Sequence, residues 1–215
     1  MNRILAVALL SSLPLLGAQA HDTQPGINAG IRQELADARK EVRIDLAKAK
    51  RELDTENLSL GDGVRFGTQS RAEAGLPRAE ITPRGDFLIE GKPQAIDAGQ
   101  RRQLLAYRGQ VIGIAKTGID IGQRSAEAAL DAVGDSSLFG LVFSAMTGSL
   151  ERRVERVVKQ EIEPGVRGIC RQLPALMDSQ QRLASSLPQF RPYATLEADD
   201  VDDCEKQVRN EFASR

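Results

Sequence analysis

The stretch from Glu80 to Val133 constrains the fold most strongly, because two turn motifs lead directly into a long run of helical periodicity. Glycines beside polar residues, in Arg84-Gly85-Asp86 and in Gly91-Lys92, supply the positive φ that tight hairpin turns need. Short apolar runs flank both turns. The pattern predicts three short strands that form a small antiparallel β-meander over about residues 80–96.

A helix is expected to follow the meander. The Asp97 carboxylate can accept hydrogen bonds from first-turn amides while Gln100 reaches back, so this capping box predicts a helix that begins at about Ala98. Apolar and small residues then recur at spacings of three and four and predict one apolar stripe: Ile112, Ala115, Ile119, Gly122, Ala126, Ala129 and Val133. Polar residues with the same period predict an opposite, solvated face: Lys116, Asp120, Gln123, Glu127 and Asp131.

Glycine is unusually frequent in this predicted helix. Each glycine costs roughly 1 kcal/mol of helix propensity relative to alanine, so the accumulation indicates that another backbone approaches closely. The spacing matches the small-xxx-small pattern of tight helix pairs, within one chain or between copies, with membrane contact as the alternative. The predicted helix-packing positions are Gly109, Gly113, Gly118 and Gly122.

The run ITPRGDFLIEGKPQAIDAGQRRQLLAYRGQV resembles the signature of the YggN-like family of bacterial envelope proteins. The resemblance covers about Leu60 to Leu196 and is most specific between Ile81 and Tyr107. It implies a signal-bearing, mostly helical envelope protein and brings no catalytic residues. The N-terminal third lies outside it, because His21 and a charged helix stand where some relatives place a cysteine after the signal sequence.

The first 20 residues have the pattern of a secretory signal. Arg3 precedes an apolar run from Ile4 to Gly17, and Ala18-Gln19-Ala20 is an A-x-A cleavage site. The run is shorter than the roughly 20 residues that a spanning helix needs, and no cysteine follows the site to accept a lipid. We therefore expect a periplasmic protein that is cleaved after Ala20.

Composition narrows the function classes. The 29 basic and 30 acidic residues nearly balance, so nothing in the overall charge attracts nucleic acid. The chain has no tryptophan and few other aromatics, which favours a core of aliphatic side chains and helix-on-helix packing. The expected fold is mainly α, with amphipathic helices packed antiparallel beside the meander.

Cys170 and Cys204 are the only cysteines, and in an oxidising compartment they predict a disulfide. A redox pair is the alternative, but it lacks C-x-x-C spacing.

An N-terminal amphipathic arm helix is predicted within residues 21–58, from Asn28 to about Asn57. Its charges are interpreted as a solvated surface, or alternatively as part of a coiled-coil arm that binds another molecule. Residues 59–196 would form the meander-plus-helices domain, and residues 197–215 an acidic helix tied back by the disulfide and capped by Asp199 and Asp202. The arm stripe contains Ile31, Leu35, Ala38, Val42, Leu46, Ala49 and Leu53.

The stretch from Ser136 to Leu150 is uncharged and is too short to span a bilayer. It predicts a buried helix, with an interfacial membrane helix as the alternative. In the helix that follows, Pro164-Gly165 predicts a kink or an end, and Pro174 a second kink or a restart. The candidate lipid or partner contacts are Leu138, Phe139, Leu141, Val142 and Phe143.

His21 is the only histidine and lies at the predicted mature N-terminus, so a Ser-His-Asp triad inside the fold is excluded unless that N-terminus supplies the imidazole. A zinc site of the usual type is equally unsupported, and we expect neither a metal nor another cofactor. The sequence favours a non-enzymatic helical interaction module of the cell envelope, which contacts another envelope protein or a second copy of itself. One alternative is a peripheral membrane protein that inserts residues 138–146. A carboxylate-based hydrolase is a third interpretation, for which no pair of carboxylates is singled out.

Overall fold

The computed structural model describes residues 24–60, 75–134 and 149–213. Their fold is mainly α with one small antiparallel sheet, which confirms the predicted class. The helices are α1 (Gln24–Thr55), α2 (Ala98–Gly134), α3 (Ser149–Cys170), α4 (Leu173–Ser186) and α5 (Ala198–Ala213), with a 3-10 helix at Pro188–Tyr193. The strands are β1 (Leu58–Leu60), β2 (Ala79–Ile81), β3 (Phe87–Ile89) and β4 (Lys92–Pro93).

The sheet has the order β1-β2-β3-β4 with antiparallel neighbours, so β1 adds a strand in front of the predicted meander. The β2–β3 turn places Gly85 at φ 79°, and the two-residue β3–β4 turn has positive φ at both Glu90 and Gly91. Positive φ at both central residues is what a type I′ hairpin requires. The glycine signals in the sequence therefore identified both turns correctly.

The predicted capping box at the start of α2 is confirmed. Asp97 Oδ1 accepts hydrogen bonds from the amides of Gly99 (2.6 Å) and Gln100 (2.8 Å), and Gln100 Oε1 accepts one from the Asp97 amide (2.9 Å). The first half of α2 then enters the core, where Leu104, Val111 and Ile114 are buried. The capping box thus fixes where the helix begins, and its apolar face fixes how it packs.

Aromatic side chains from three elements meet in the core. Phe87 of β3 lies 5.9 Å from Phe190 and 6.1 Å from Tyr193 of the 3-10 helix, and Tyr107 of α2 lies 5.4 Å from Phe190, measured between ring centroids. The tilted and edge-on geometries are those that aromatic pairs prefer. Burial raises the pKa of Tyr107 to about 12. Half of the chain's eight aromatic residues are therefore used to join the sheet, α2 and the 3-10 helix.

The prolines act differently at the two predicted breaks. Helix α3 continues through Pro164-Gly165 to Cys170, so the predicted end of the helix at that point is wrong. Pro164 is exposed, where water can bond the carbonyl that its missing N–H leaves free, and Gly165 packs closely against Ile121 of α2. Pro174 instead lies in the first turn of α4, which confirms the predicted restart.

The predicted disulfide is present between Cys170 at the end of α3 and Cys204 of α5, with the Cα atoms 5.7 Å apart. The cap of α5 differs from the one expected. Asp200, rather than Asp199 with Asp202, accepts a hydrogen bond from the Glu197 amide at 2.9 Å. Asp200 is the third helical residue, the position from which a carboxylate can reach the amide of the capping residue.

Helix α1 packs antiparallel against α2, and the buried Arg108 of α2 holds its C-terminal end. Arg108 Nη2 donates to the carbonyl oxygens of Leu53, Asp54 and Glu56 at 2.9, 3.0 and 2.8 Å. The last carbonyls of a helix have no partner within the helix, so a cation placed there satisfies them and complements the helix dipole. Arg108 thereby fixes the position of the N-terminal helix relative to the core.

Candidate functional site

The longest polar interface in the described residues lies between α1 and α2. Four ion pairs, here called the ion-pair ladder, join the C-terminal halves of the two helices. They are Arg39 Nη2 with Asp131 Oδ1 (2.6 Å), Arg43 Nε with Glu127 Oε1 (2.7 Å), Lys50 Nζ with Asp120 Oδ1, and Lys116 Nζ with both carboxylate oxygens of Asp54 (2.6 and 2.7 Å).

The ladder has a regular antiparallel register. Going back along α1 from Asp54 to Arg39, the partners are separated by four, seven and four residues, and going forward along α2 from Lys116 to Asp131 the same intervals recur. Intervals of four and seven keep side chains on one face of a helix. The sequence does contain a signal for this interface, namely opposite charges at matching intervals on the two helices. Each helix considered separately lacks this signal, so the interface was missed.

This finding corrects two predictions. The face of α2 expected to be solvated is the face that receives α1, with Glu127 only 27% exposed. Arg39 and Arg43 of α1, interpreted as solvated charges, contact α2 as well. A row of charges on a helix can face solvent or can face a row of opposite charges on a second helix. The periodicity of one helix does not distinguish these two arrangements.

The ladder changes the ionisation of its members. A hydrogen bond from Arg43 is the main reason that the pKa of Glu127 lies below its ordinary range, and a second bond from Gln123 acts in the same direction. The same contact with Glu127 raises the pKa of Arg43. Both charges are therefore favoured in the docked arrangement, and both are open enough to solvent for salt to screen them.

Apolar contact between α1 and α2 is incomplete. Leu35, Val42 and Leu46 of the predicted arm stripe are half buried, and from Gln33 to Thr55 no residue of α1 is fully buried. Ile44 is 55% exposed and is one of the most exposed large apolar side chains of the described residues. The arm is thus attached to the body by polar contacts and partial apolar burial, unlike α4, whose Leu173, Leu176 and Leu183 are almost completely buried.

The predicted apolar stripe of α2 is only partly covered. Ile112 is buried, Ala115, Ile119 and Ala126 are half buried, and Gly122 is exposed beside Gly118. We call the surface formed by four of its members, Ala115, Ile119, Gly122 and Ala126, together with the neighbouring Gly118, the open stripe. Apart from Ile119, it is a strip of small side chains and bare backbone on the surface of the longest described helix.

The predicted close packing at the α2 glycines is not found within the described chain. No described atom lies within 4 Å of a β-carbon built at Gly109, Gly113, Gly118 or Gly122. The close approach to α2 occurs instead at Gly165 of α3, which meets Ile121. Packing of the four glycines against a second copy stays a prediction.

Two other sequence features do not add a functional site among the described residues: the predicted lipid or partner contacts and the Arg84-Gly85-Asp86 turn. Leu138, Phe139, Leu141, Val142 and Phe143 lie outside the described residues. In the Arg84-Gly85-Asp86 turn, Gly85 is buried and Asp86 is held by Arg101 Nη1 at 2.5 Å, so the motif acts as turn chemistry.

Sites for a metal or a small ligand are also not evident in the described ranges. No group of three histidine, cysteine, aspartate or glutamate side chains there could hold a metal ion. A shallow, open depression of about 700 Å³ lies between α2 and α4, and its polar lining is mostly exposed. It is lined by Gln103, Asp178, Gln181, Arg182, Ser185 and Ser186.

Among the described helices, none combines the length and apolar character required to cross a bilayer. Comparison with known proteins gave no matching family model, no matching curated sequence and no matching solved structure. The resemblance to the YggN-like family therefore stays a prediction.

Proposed function

We propose that the chain is an exported, non-enzymatic helical interaction module of the cell envelope. The observation that carries this proposal is the open stripe of α2, where Gly118 and Gly122 present bare backbone at the surface of a 37-residue helix. Two exposed glycines cost roughly 2 kcal/mol of helix propensity without any packing gain in the described chain, which favours a contact supplied from outside it.

The architecture supports a binding role. The sheet, α4 and the 3-10 helix share a buried core, and the disulfide ties α5 to the end of α3, which gives a rigid base. The longer helices α1 and α3 both lie against α2 and extend helical surface along it. A rigid base with long exposed helices provides contact area for another helix, as helix-in-groove recognition requires.

The envelope location rests on the signal pattern at residues 1–20 and on the disulfide, which is typical of an oxidising compartment. Export is tested by expressing the full precursor in a Gram-negative host and following mature protein in the osmotic-shock fraction. Replacing Ala18 and Ala20 by bulky residues should leave uncleaved precursor. Recovery of the wild-type precursor, uncleaved, in the cytoplasm would contradict the proposal.

The interaction is tested with a photo-crosslinking residue in place of Gly122, compared with the same residue in place of Gly109. Both glycines are exposed and open, but they lie on different faces of α2, so Gly109 is a matched control. We expect a discrete crosslinked product in cells from position 122 and not from position 109. Equal labelling from both positions, or none from either, would overturn the role of the open stripe.

A further inference from the structure

We propose that α1 is a reversible cover on an acidic face of α2, and that this face accepts the α1 of a second copy of the chain. The face consists of Asp120, Glu127 and Asp131. The inference rests on the proposed function, because it names the partner of one helical surface of the interaction module. It concerns a different surface from the open stripe.

The first argument is that α1 can leave without opening the core. In each ladder pair one side chain is at least half exposed, as are Asp131 (62%) and Asp120 (52%), while its partner is about a third exposed, and from Gln33 to the end of α1 no residue is fully buried. Contacts of this kind belong to the low end of local stability and weaken with salt. Release of α1 would leave Phe87, Leu173 and the rest of the buried core unchanged.

The second argument is that the two ends of α1 are held unequally. At its C-terminal end, Arg108 donates to three carbonyl oxygens and Lys116 contacts both oxygens of Asp54. Toward its N-terminal end, Arg39 and Arg43 each contact one carboxylate oxygen. The arm therefore opens from the Arg39 end while the Arg108 end stays in place.

The third argument is charge complementarity. Opening exposes Glu127 and Asp131 on α2 and frees Arg39 and Arg43 on α1, so each copy offers both halves of the same antiparallel contact. Two copies can satisfy these contacts reciprocally with two-fold symmetry, as in domain swapping. The α1 of every copy carries the same charges in the same order, so it fits this face in the register seen within one chain. A second copy is therefore the occupant.

The test uses two charge-reversed forms of the full mature chain. In one, Arg39→Glu/Arg43→Glu, an acidic α1 faces its own acidic α2. In the other, Glu127→Arg/Asp131→Arg, a basic α1 faces a basic α2. Each form has like charges within its own chain, but both interfaces of the mixed pair bring opposite charges together. The quadruple variant, which carries all four changes in one chain, restores opposite charges internally and is the matched control.

We expect each charge-reversed form alone to be monomeric in sedimentation velocity, with amides around Arg39 and Arg43 exchanging hydrogen at least about ten-fold faster than in the wild type and amides near Asp54 changing less. Amides of α4 should remain protected. An equimolar mixture of the two forms should contain a heterodimer that dissociates at high salt. The quadruple variant should match the wild type in both sedimentation and hydrogen exchange.

Two results would overturn the inference. One is unchanged exchange in α1 of both charge-reversed forms, since the arm would then not depend on the ladder. The other is a mixture that stays monomeric at low salt although α4 remains protected in both forms, since the face would then not accept α1 from a second copy. Neither result affects crosslinking at Gly122. Failure of this inference can therefore be distinguished from failure of the proposed function, which crosslinking at the open stripe tests.

Discussion

Gly165 of α3 faces Ile121 of α2 so closely that a β-carbon on Gly165 would overlap the Ile121 side chain. Ile121 is buried and β-branched, which limits its freedom to move aside. The absence of a side chain at position 165 therefore sets how closely α2 and α3 approach. The contact lies next to Pro164, at the point where the sequence suggested a break.

Replacing Gly165 by alanine should destabilise the protein. Overpacking costs about 1–3 kcal/mol, against about 1 kcal/mol of helix propensity gained, so we expect a net loss of about 1 kcal/mol in urea denaturation followed by circular dichroism. Trimming Ile121 to alanine removes both overlapping atoms, so it should cost less stability in the Gly165→Ala background than in the wild type. A Gly165→Ala protein as stable as the wild type would contradict the contact.

The same substitution should have the opposite sign in the open stripe. At Gly118 and Gly122 no described atom lies within 4 Å of an added β-carbon. Each change to alanine should therefore raise the free energy of unfolding by up to about 1 kcal/mol through helix propensity. The measurement is again urea denaturation of the mature protein. A loss of stability at either position would mean that something covers the stripe.

Removing the Arg108 guanidinium should weaken the attachment of α1. Arg108→Met keeps the aliphatic stem but removes the hydrogen bonds to the carbonyls of Leu53, Asp54 and Glu56, and bonds from charged donors contribute about 1.5–3 kcal/mol. We expect faster hydrogen exchange in the last turns of α1 and a lower urea midpoint. Arg102→Met, at an exposed position of the same helix, is the control and should change neither quantity.

The disulfide should contribute substantially to stability. It closes an interval of 34 residues, which corresponds to about 3–4 kcal/mol on the chain-entropy model. The double variant Cys170→Ala/Cys204→Ala, and the wild type under reducing conditions, should both unfold at lower urea concentration. Because the disulfide ties α5 to the end of α3, the amides of α5 should lose their protection from hydrogen exchange first. Identical unfolding curves with and without reductant would refute this expectation.

Acid should destabilise the fold through Asp86. The hydrogen bond from Arg101 lowers the pKa of Asp86 below its ordinary value of 3.8, and Thr82 adds to this effect. A carboxylate whose pKa is lower in the folded state contributes stability above its unfolded pKa and loses it as the pH falls through the folded pKa. We expect the urea midpoint to fall as the pH drops below about 4, and Asp86→Asn to reduce that dependence. An equally steep fall in the variant would contradict the role of Asp86.

Local features of the chain were predictable because they depend on residues close in sequence. The hairpin glycines, the Asp97 and Gln100 capping box, the restart at Pro174 and the pairing of the only two cysteines all follow from local geometry or from composition. These signals gave the mainly α class and the sheet. They also placed the start of α2 at Ala98, where the structure has it.

Tertiary structure decided which helix faces are covered. The charges of α2 were compatible with solvent, but α1 brings opposite charges to them in matching intervals from positions far away in the sequence. Glycine in a helix signals either close approach or bare surface, and only the packed arrangement separates Gly165 from Gly118 and Gly122. The amino-acid sequence thus determined the elements and several of their ends, such as the start of α2. Contacts between distant segments decided how the helix faces are used, because electrostatic and steric complementarity are properties of pairs.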